Sequence, residues 1–155
     1  MFIPSDTYKK IIDYMVIPTT DIVFLNKNKE ILLWLRNNAP LKWIYYLPGW
    51  RIQKWETIIQ AAKRKAKEEL NIDIDQEKLK FIGVYDDIFN DSAFDNLSTH
   101  CLPCTFLYML SEYEEQNLKP DNQHEHMRFF AYNEESFHPF LKKRLKQIQS
   151  VYSIF

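Results

Sequence analysis

This chain has few glycines and few cysteines, two of each among 155 residues. Glycine lets the backbone turn sharply and approach a ligand closely, so Gly49, directly after Leu47-Pro48, indicates a tight loop. Cys101 and Cys104 lie in a segment rich in Thr, Phe, Leu and Tyr that predicts a strand. A redox pair needs a helix N-terminus, and a zinc site needs a second pair of ligands. Redox and zinc chemistry are therefore not expected.

Long apolar runs and an excess of one charge are also missing. No apolar run approaches the roughly 18 residues of a membrane span, and the N-terminal residues do not resemble a signal peptide. The 20 Lys and Arg residues nearly balance the 21 Asp and Glu residues, so no basic field would attract nucleic acid. We therefore expect no membrane partner, no nucleic-acid partner, a cytoplasmic location and one domain over residues 1–155.

The hydrophobic pattern predicts strands before and after a long central helix, with another helix at the end of the chain. This order favours an α/β fold in which a mixed sheet lies between helices. Helices are predicted at 6–15, at 54–70 and from Pro139 onward, and strands at 20–25, 31–35, 43–47, 79–85, 99–110 and 127–132. The remaining predictions are a lid-like loop at 86–97, a sheet edge or bulge at Pro103, and a solvated basic face at 142–146.

Two carboxylates near the end of the central helix are candidate metal ligands. Glu69 borders the apolar stripe of that helix, which predicts a half-buried side chain, whereas Glu68 points further toward solvent. Mg²⁺ needs only one or two carboxylates, a backbone carbonyl and substrate oxygens, and Gly49 suits the carbonyl role. However, Arg64–Glu68 and Lys65–Glu69 are also i,i+4 pairs of opposite charge, which exposed helices commonly carry. Spacing alone leaves both interpretations open.

The segment 120–126 contains two histidines, His124 and His126. A His-x-His pair can hold a transition metal, but no nearby cysteine completes such a set. A loop histidine that titrates near neutral pH suits the removal of a proton from water. The residues alone also leave open that both are ordinary surface histidines.

Residues 56–72 resemble the later part of the Nudix hydrolase signature. Glu56, Arg64, the Glu68-Glu69 pair and Ile72 match it, while the positions of two glycines and one Glu are occupied by Trp50, Asn71 and Lys65. Over nearly the whole chain, the sequence is similar to one branch of that family, the GDP-mannose mannosyl hydrolases. Residues 1–3, 35–40, 48–49, 51–54, 98–100 and 120–124 carry this similarity.

The resemblance implies a Nudix-like mixed β-sheet sandwiched between helices, and a homodimer. It implies Mg²⁺-dependent hydrolysis, with Mn²⁺ as an alternative, of a GDP-sugar of the GDP-mannose or GDP-glucose type. Cleavage at the anomeric C–O bond would give GDP and free sugar with inversion. A pyrophosphatase that acts on a nucleoside diphosphate sugar, or a sugar-nucleotide-binding protein without turnover, remains an alternative.

The resemblance also implies roles for individual residues. The metal would be held by the Gly49 carbonyl, Glu69 and Gln123, with Glu68 as a further candidate, and His124 would be the catalytic base. Arg36 and Arg51 would neutralise phosphate oxygens, a task suited to a forked guanidinium, and Arg51 would thereby assist catalysis. The nucleotide sugar would be bound by Phe2, Ile3, Tyr8, Asp21, Arg36 and Arg51. Asp87 and Cys101 stand where the branch has a second loop histidine and an aromatic residue.

The pH dependence of the rate tests His124 as the base. A base must be neutral to accept a proton, so kcat should rise with pH around the ordinary histidine pKa of about 6.5 and then level off. His124→Gln should lower kcat by about 10² to 10⁴ and remove this acidic limb, while His126→Gln should do neither. The measurement is kcat from pH 5 to 9. Near-normal turnover with the limb intact in His124→Gln would point to Asp87 instead.

Overall fold

A computed structural model describes residues 3–118 and 126–154. The α-helices in these ranges are α1 (Ser5–Tyr14), α2 (Ile58–Leu70), α3 (Glu112–Gln116) and α4 (Pro139–Tyr152). The strands are β1 (Ile17–Leu25), β2 (Ile31–Leu35), β3 (Tyr45–Tyr46), β4 (Gly49–Arg51), β5 (Lys80–Val84), β6 (Asp87–Phe89), β7 (Thr99–Met109) and β8 (Met127–Phe130). A 3₁₀ helix spans Gln76–Lys78. None of the described helices is both long and apolar enough to cross a bilayer.

The strands form one mixed sheet. Its central path is β3-β2-β1-β7-β5, and β4, β6 and β8 pair with β1, β7 and β2, respectively. β1 and β7 run parallel over their full contact, and the other pairs are antiparallel. β1 and β7 therefore lie in the interior of the sheet. The short strands β4 and β6 pair with them.

Successive residues of β1 point to opposite faces of the sheet, and different helices cover the two faces. Ile22 and Phe24 belong to the core on the α2 side, whereas Val23 and Leu25 belong to the core on the α4 side. The helix residues in these cores are Ala62, Ala66 and Leu70 of α2 and Leu141, Leu145 and Ile148 of α4. The predicted α/β fold, a mixed sheet between helices, is confirmed.

Helix α2 begins at Ile58, one turn later than predicted. Thr57 is the N-cap: its side chain accepts from the Gln60 backbone N–H, and the Gln60 side chain accepts from the Thr57 backbone N–H. This reciprocal capping box satisfies donors that have no partner inside the helix. Before it, Trp55 has a left-handed φ of 70°, which ends any helical continuation toward Lys54.

Several local predictions are corrected by the pairing of strands. The stretch 43–47 is a strand only at 45–46, because Trp43 has a left-handed φ of 67°. The predicted loop after Pro48 contains β4, and the predicted loop 86–97 contains β6. Pro103 lies in interior β7, not at an edge, opposite the break between β5 and β6, where its carbonyl accepts from Tyr85 N–H at 3.2 Å.

Replacement of Thr57, the N-cap residue of α2, should lower the free energy of unfolding. Thr57→Ala removes the side-chain acceptor of the capping box, so we expect the free energy of unfolding to fall by about 1 kcal/mol. Thr57→Ser keeps a hydroxyl and is the control that should stay near wild type. Urea denaturation of the three proteins measures the difference. Equal losses for Ala and Ser would mean that the methyl group of Thr57, not its hydroxyl, stabilises the helix.

Candidate functional site

A cavity of about 210 Å³ lies on the face of β1 that carries Asp21, with α1, β4, β6 and β7 around it. This volume is below the roughly 300 to 1,000 Å³ of typical ligand pockets, so a whole nucleotide sugar would extend over the rim. Five of the predicted site residues line it: Tyr8, Asp21, Arg36, Gly49 and Arg51. Ile3 is not among the lining residues, and Phe2, Gln123 and His124 lie outside the described residues.

One side of the cavity is cationic. Arg36 Nε donates to the Pro40 carbonyl at 2.6 Å, which fixes the guanidinium at the end of β2. Burial lowers the pKa of Arg36 and the charge of Asp21 opposes that shift, yet arginine remains protonated in proteins. Arg51 lies over the Tyr8 ring, 5.7 Å from its centroid. Two guanidinium groups therefore face the space that a phosphate-bearing ligand would enter.

The floor of the cavity is built from two carboxylates that share one guanidinium. Arg144 of α4 is fully buried, and its Nη2 donates to Asp87 Oδ2 at 2.7 Å and to Asp21 Oδ2 at 3.4 Å. The Tyr46 hydroxyl also donates to Asp87 Oδ2, at 3.1 Å. Within the described part of the chain, the buried Asp87 Oδ1 has no hydrogen-bond partner. A buried acceptor with this property suits a ligand hydroxyl donor.

The shared guanidinium cannot neutralise both carboxylates. Burial raises the pKa of Asp21 to about 7; Arg144 opposes this rise and the charge of Asp87 adds to it. Near neutral pH, Asp21 therefore exchanges a proton while Arg144 makes its shorter contact with Asp87. The floor can both donate and accept hydrogen bonds, which is the pattern that sugar hydroxyls require.

Gly49 is needed for the packing of this floor. Gly49 pairs with Asp21 across the β4–β1 ladder, and a Cβ at position 49 would overlap Asp21 Oδ1. Its φ is not positive, so the requirement is for space. The predicted role of its carbonyl as a metal ligand is a separate matter and stays a prediction.

The interpretation of residues 142–146 as a solvated basic face is wrong for Arg144. Lys142, Lys143 and Lys146 are exposed, but Arg144 is not. Position 144 falls in helical register with buried Leu141 and Ile148, so its spacing within the apolar stripe was a signal that could have identified it. Asp87 and Tyr46, which complete the floor, carry no such periodic signal because they come from separate short strands.

The predicted carboxylates on α2 lie away from the cavity. Neither Glu68 nor Glu69 lines it. In β4, Gly49 and Arg51 face the cavity, while the buried Trp50 between them packs in the core on the α2 side. This separation follows from the alternation of side chains along a strand.

Glu69 is held by two donors on the α2 side. Lys65 Nζ donates to its Oε1 at 2.6 Å, and Trp50 Nε1 donates to its Oε2 at 2.5 Å. Lys65 Nζ also lies 3.3 Å from Glu68 Oε2. The Glu69 side chain is 12% exposed and that of Glu68 is 52% exposed. We refer to Lys65, Glu68, Glu69 and Trp50 as the Lys65 cluster.

The two cysteines have no sign of reactivity. Both are free, and Cys101 lines the cavity. Burial raises the pKa of Cys101 to about 12, and the charges of Asp21 and Asp87 add to this rise. Burial also raises the pKa of Cys104. Both thiols are therefore protonated at neutral pH, which fits the expectation that they do no redox chemistry.

Comparison with known proteins identifies the family. A NUDIX domain model matches residues 15–151, which is most of the chain. This chain belongs to the Nudix family. Among curated proteins, it is similar to the low-salt glycan biosynthesis protein Agl8 of Haloferax volcanii, with 28% identity over 144 residues, or 92% of this chain and 88% of the relative.

Solved structures agree on the Nudix fold. A MutT NUDIX hydrolase from Burkholderia pseudomallei superposes with a TM-score of 0.68 at 20% identity, over 86% of this chain and 98% of the other. A MutT protein from Methanosarcina mazei gives 0.68 at 14% identity, over 87% and 94%. The NUDIX domain of Shewanella oneidensis NrtR, solved with ADP ribose, gives 0.57 at 16% identity, over 83% of each chain. At these identities the likeness shows the fold alone.

Nudix hydrolases generally use divalent metals such as Mg²⁺, but the described residues do not fit one. Residues 3–118 and 126–154 contain no group of three or more His, Cys, Asp or Glu side chains that could hold a metal ion. Burial acts to lower the pKa of Lys65, but the hydrogen bonds and charges of Glu69 and Glu68 outweigh it and raise the pKa. Unit charges 4 Å apart interact by about 4 kcal/mol near a protein surface, so this ammonium would repel a divalent ion bound to Glu69.

The raised pKa of Asp21 should make the free energy of unfolding depend on pH. The pKa of Asp21 is about 7 in the folded protein, against an ordinary value of 3.8, so the folded state binds this proton more tightly than the unfolded state. The stabilisation is present below about pH 4 and is lost as pH rises to 7. Relative to Asp21→Asn, wild type should therefore lose up to about 4 kcal/mol of unfolding free energy over this range.

Urea denaturation at intervals from pH 4 to 7.5 measures this loss. Asp95→Asn, the same change at an exposed carboxylate, is the control and should follow the wild-type curve. Parallel pH curves for wild type and Asp21→Asn would show that Asp21 ionises normally in the folded protein.

Proposed function

We propose that this Nudix hydrolase cleaves a GDP-sugar, of the GDP-mannose or GDP-glucose type, at the anomeric C–O bond. Water adds to the anomeric carbon, the bond from that carbon to the diphosphate oxygen breaks, and GDP leaves with the bonding electron pair. The products are free sugar of inverted configuration, GDP and a proton. The observation that carries this proposal is the two-sided cavity, with guanidinium groups at the rim and shared carboxylates at the floor.

The cationic side suits the diphosphate. Arg36 and Arg51 can each form bidentate hydrogen bonds to phosphate oxygens. Because the leaving group in C–O cleavage is the whole diphosphate, negative charge that develops there is stabilised by cations placed at the rim. Tyr8, which packs against Arg51, offers an aromatic face beside the same rim.

The carboxylate floor suits the sugar. Asp21 and Asp87 can accept hydrogen bonds from sugar hydroxyls, and protonated Asp21 can donate one. A cluster of anionic groups would repel phosphate, so the sugar is the part of a nucleotide sugar that fits the floor. This orientation directs the anomeric carbon toward the region between floor and rim.

A pyrophosphatase that cuts between phosphorus atoms is the second candidate. Glu68 would have to contribute to such a site. Its side chain is half exposed and contacts Arg64 at 3.4 Å and Lys65 at 3.3 Å, and it does not line the cavity. These contacts favour the interpretation of Glu68 as a helix ion-pair partner and therefore support C–O cleavage over P–O cleavage.

A binding protein without turnover is the third candidate, suggested by Trp50 in place of a signature glycine. The indole lies on the α2 side against Trp34, with ring centroids 5.9 Å apart, and leaves the cavity open. Trp50 therefore gives no steric reason for lost activity. The name of the Haloferax relative, which refers to glycan biosynthesis, is consistent with a sugar-bearing substrate.

The general base and the assembly remain predictions. His124 stays the proposed base. His124 and Gln123, which the resemblance implied as a metal ligand, both lie outside the described residues. A homodimer, in which Phe2 and Ile3 of the N-terminal segment approach a nucleotide site, is the proposed assembly. In the described structure, Tyr8 from that same segment already lines the cavity of its own chain.

Product analysis tests the reaction. With GDP-mannose, C–O cleavage should give mannose and GDP, P–O cleavage mannose 1-phosphate and GMP, and pure binding no product. Parallel reactions with GDP-glucose identify the preferred sugar, and NMR of the first-formed anomer identifies inversion. Mannose 1-phosphate with GMP would contradict the proposed reaction.

Removal of the rim charges tests the site. Arg36→Met and Arg51→Met should each lower kcat/KM at least about 10-fold, since each removes charge-assisted hydrogen bonds to phosphate. Arg128→Met is the control, because its guanidinium lies over Tyr45 and Phe130 and does not line the cavity. Unchanged kcat/KM in both rim variants would place the diphosphate elsewhere.

A further inference from the structure

We propose that the ammonium group of Lys65 is a built-in counter-cation for Glu68 and Glu69, and that it replaces a divalent metal on the Nudix helix of this chain. The signature has a Glu at position 65, so a lysine there changes the local charge by two. In the structure, this ammonium contacts both of the remaining carboxylates, at 2.6 Å and 3.3 Å. The Lys65 ammonium therefore takes the place beside these carboxylates that a metal cation would have.

Two donors of the described residues engage the Glu69 carboxylate. Lys65 Nζ reaches Oε1 and Trp50 Nε1 reaches Oε2, so each carboxylate oxygen already accepts a short hydrogen bond. Trp50 is itself another departure from the signature. Two departures, 15 positions apart in sequence on a strand and a helix, thus converge on the same carboxylate.

Both donors come from packed secondary-structure elements. Lys65 and Glu69 are one helical turn apart on α2, where i,i+4 side chains are neighbours. Trp50 is 5% exposed and lies in the core with Trp34 and Ala62. A divalent ion at Glu69 would have to displace the Lys65 ammonium from Oε1 and the buried Trp50 indole from Oε2.

The positive charge available to a phosphorylated ligand lies on the cavity side of β4. Arg36 and Arg51 line the cavity, whereas the Lys65 cluster lies on the other side of β4. Ligand phosphates are therefore neutralised by the arginines, together with any metal ion that the ligand brings. The helix carboxylates serve the fold and not the ligand.

Binding of Mn²⁺ alone tests this inference without substrate, so its outcome is independent of the proposed reaction. Free Mn²⁺ is measured by EPR during titration of the full chain. We expect wild type to bind no tighter than the millimolar range, and Lys65→Glu to bind at least about 10-fold more tightly. Adding Glu69→Gln to Lys65→Glu should abolish the gain. Lys63→Glu, the same charge change at an exposed position of α2, is the matched control and should leave affinity unchanged.

Two further measurements keep the test decisive. Lys65→Gln removes the ammonium without adding a carboxylate, and this variant should also bind Mn²⁺ more tightly than wild type. Circular dichroism establishes that each variant is folded. The single variant Glu69→Gln should bind GDP, in the presence of Mg²⁺, with an affinity within about twofold of wild type. Micromolar Mn²⁺ binding by wild type that Glu69→Gln removes would overturn the inference.

Discussion

The buried contact of Arg144 with Asp87 and Asp21 is the interaction on which the site depends. It joins three elements that are far apart in sequence, α4, β6 and β1, and the same contact forms the floor of the cavity. Loss of one partner of a buried ion pair leaves an uncompensated charge and is strongly destabilising. The floor therefore holds these elements together and is also a candidate ligand surface. Burial raises the pKa of Asp21, and the charge of Asp87 adds to this rise.

The alternation of side chains along β4 divides the molecule into two chemical regions. Gly49 and Arg51 face the cavity, and Trp50 faces α2. The resemblance implied one metal centre made of the Gly49 carbonyl and the helix carboxylates, but here Trp50 and Lys65 hold Glu69 in an ion-paired cluster on the other side of β4. The cavity side keeps two arginines as its positive charge and two aspartates as its hydrogen-bonding floor, and these carry the proposed function.

The success of sequence prediction varied with the range of the interactions involved. The positions of the main strands and of α2 followed from local hydrophobic periodicity, and their ends were displaced by a turn where the Thr57 capping box and the left-handed Trp55 intervened. Short β4 and β6 could not be predicted, because two or three residues become a strand only through pairing with β1 or β7. Arg144 was misassigned because its basic neighbours are exposed, although its own spacing matched the buried stripe.

The sequence by itself determined the family, the mixed sheet between helices, and the identity of five residues that line the cavity. The sheet followed from hydrophobic periodicity, which is a local property of the chain, and the family and the five cavity residues followed from the resemblance to known sequences. The tertiary structure alone decided what those residues face. Glu69 could be a metal ligand or an ion-pair partner on spacing alone, and only the packing of Trp50 against α2 brings a second donor to it. Asp21, Asp87 and Arg144 likewise meet only when β1, β6 and α4 are assembled, since no local pattern relates residues so far apart in the chain.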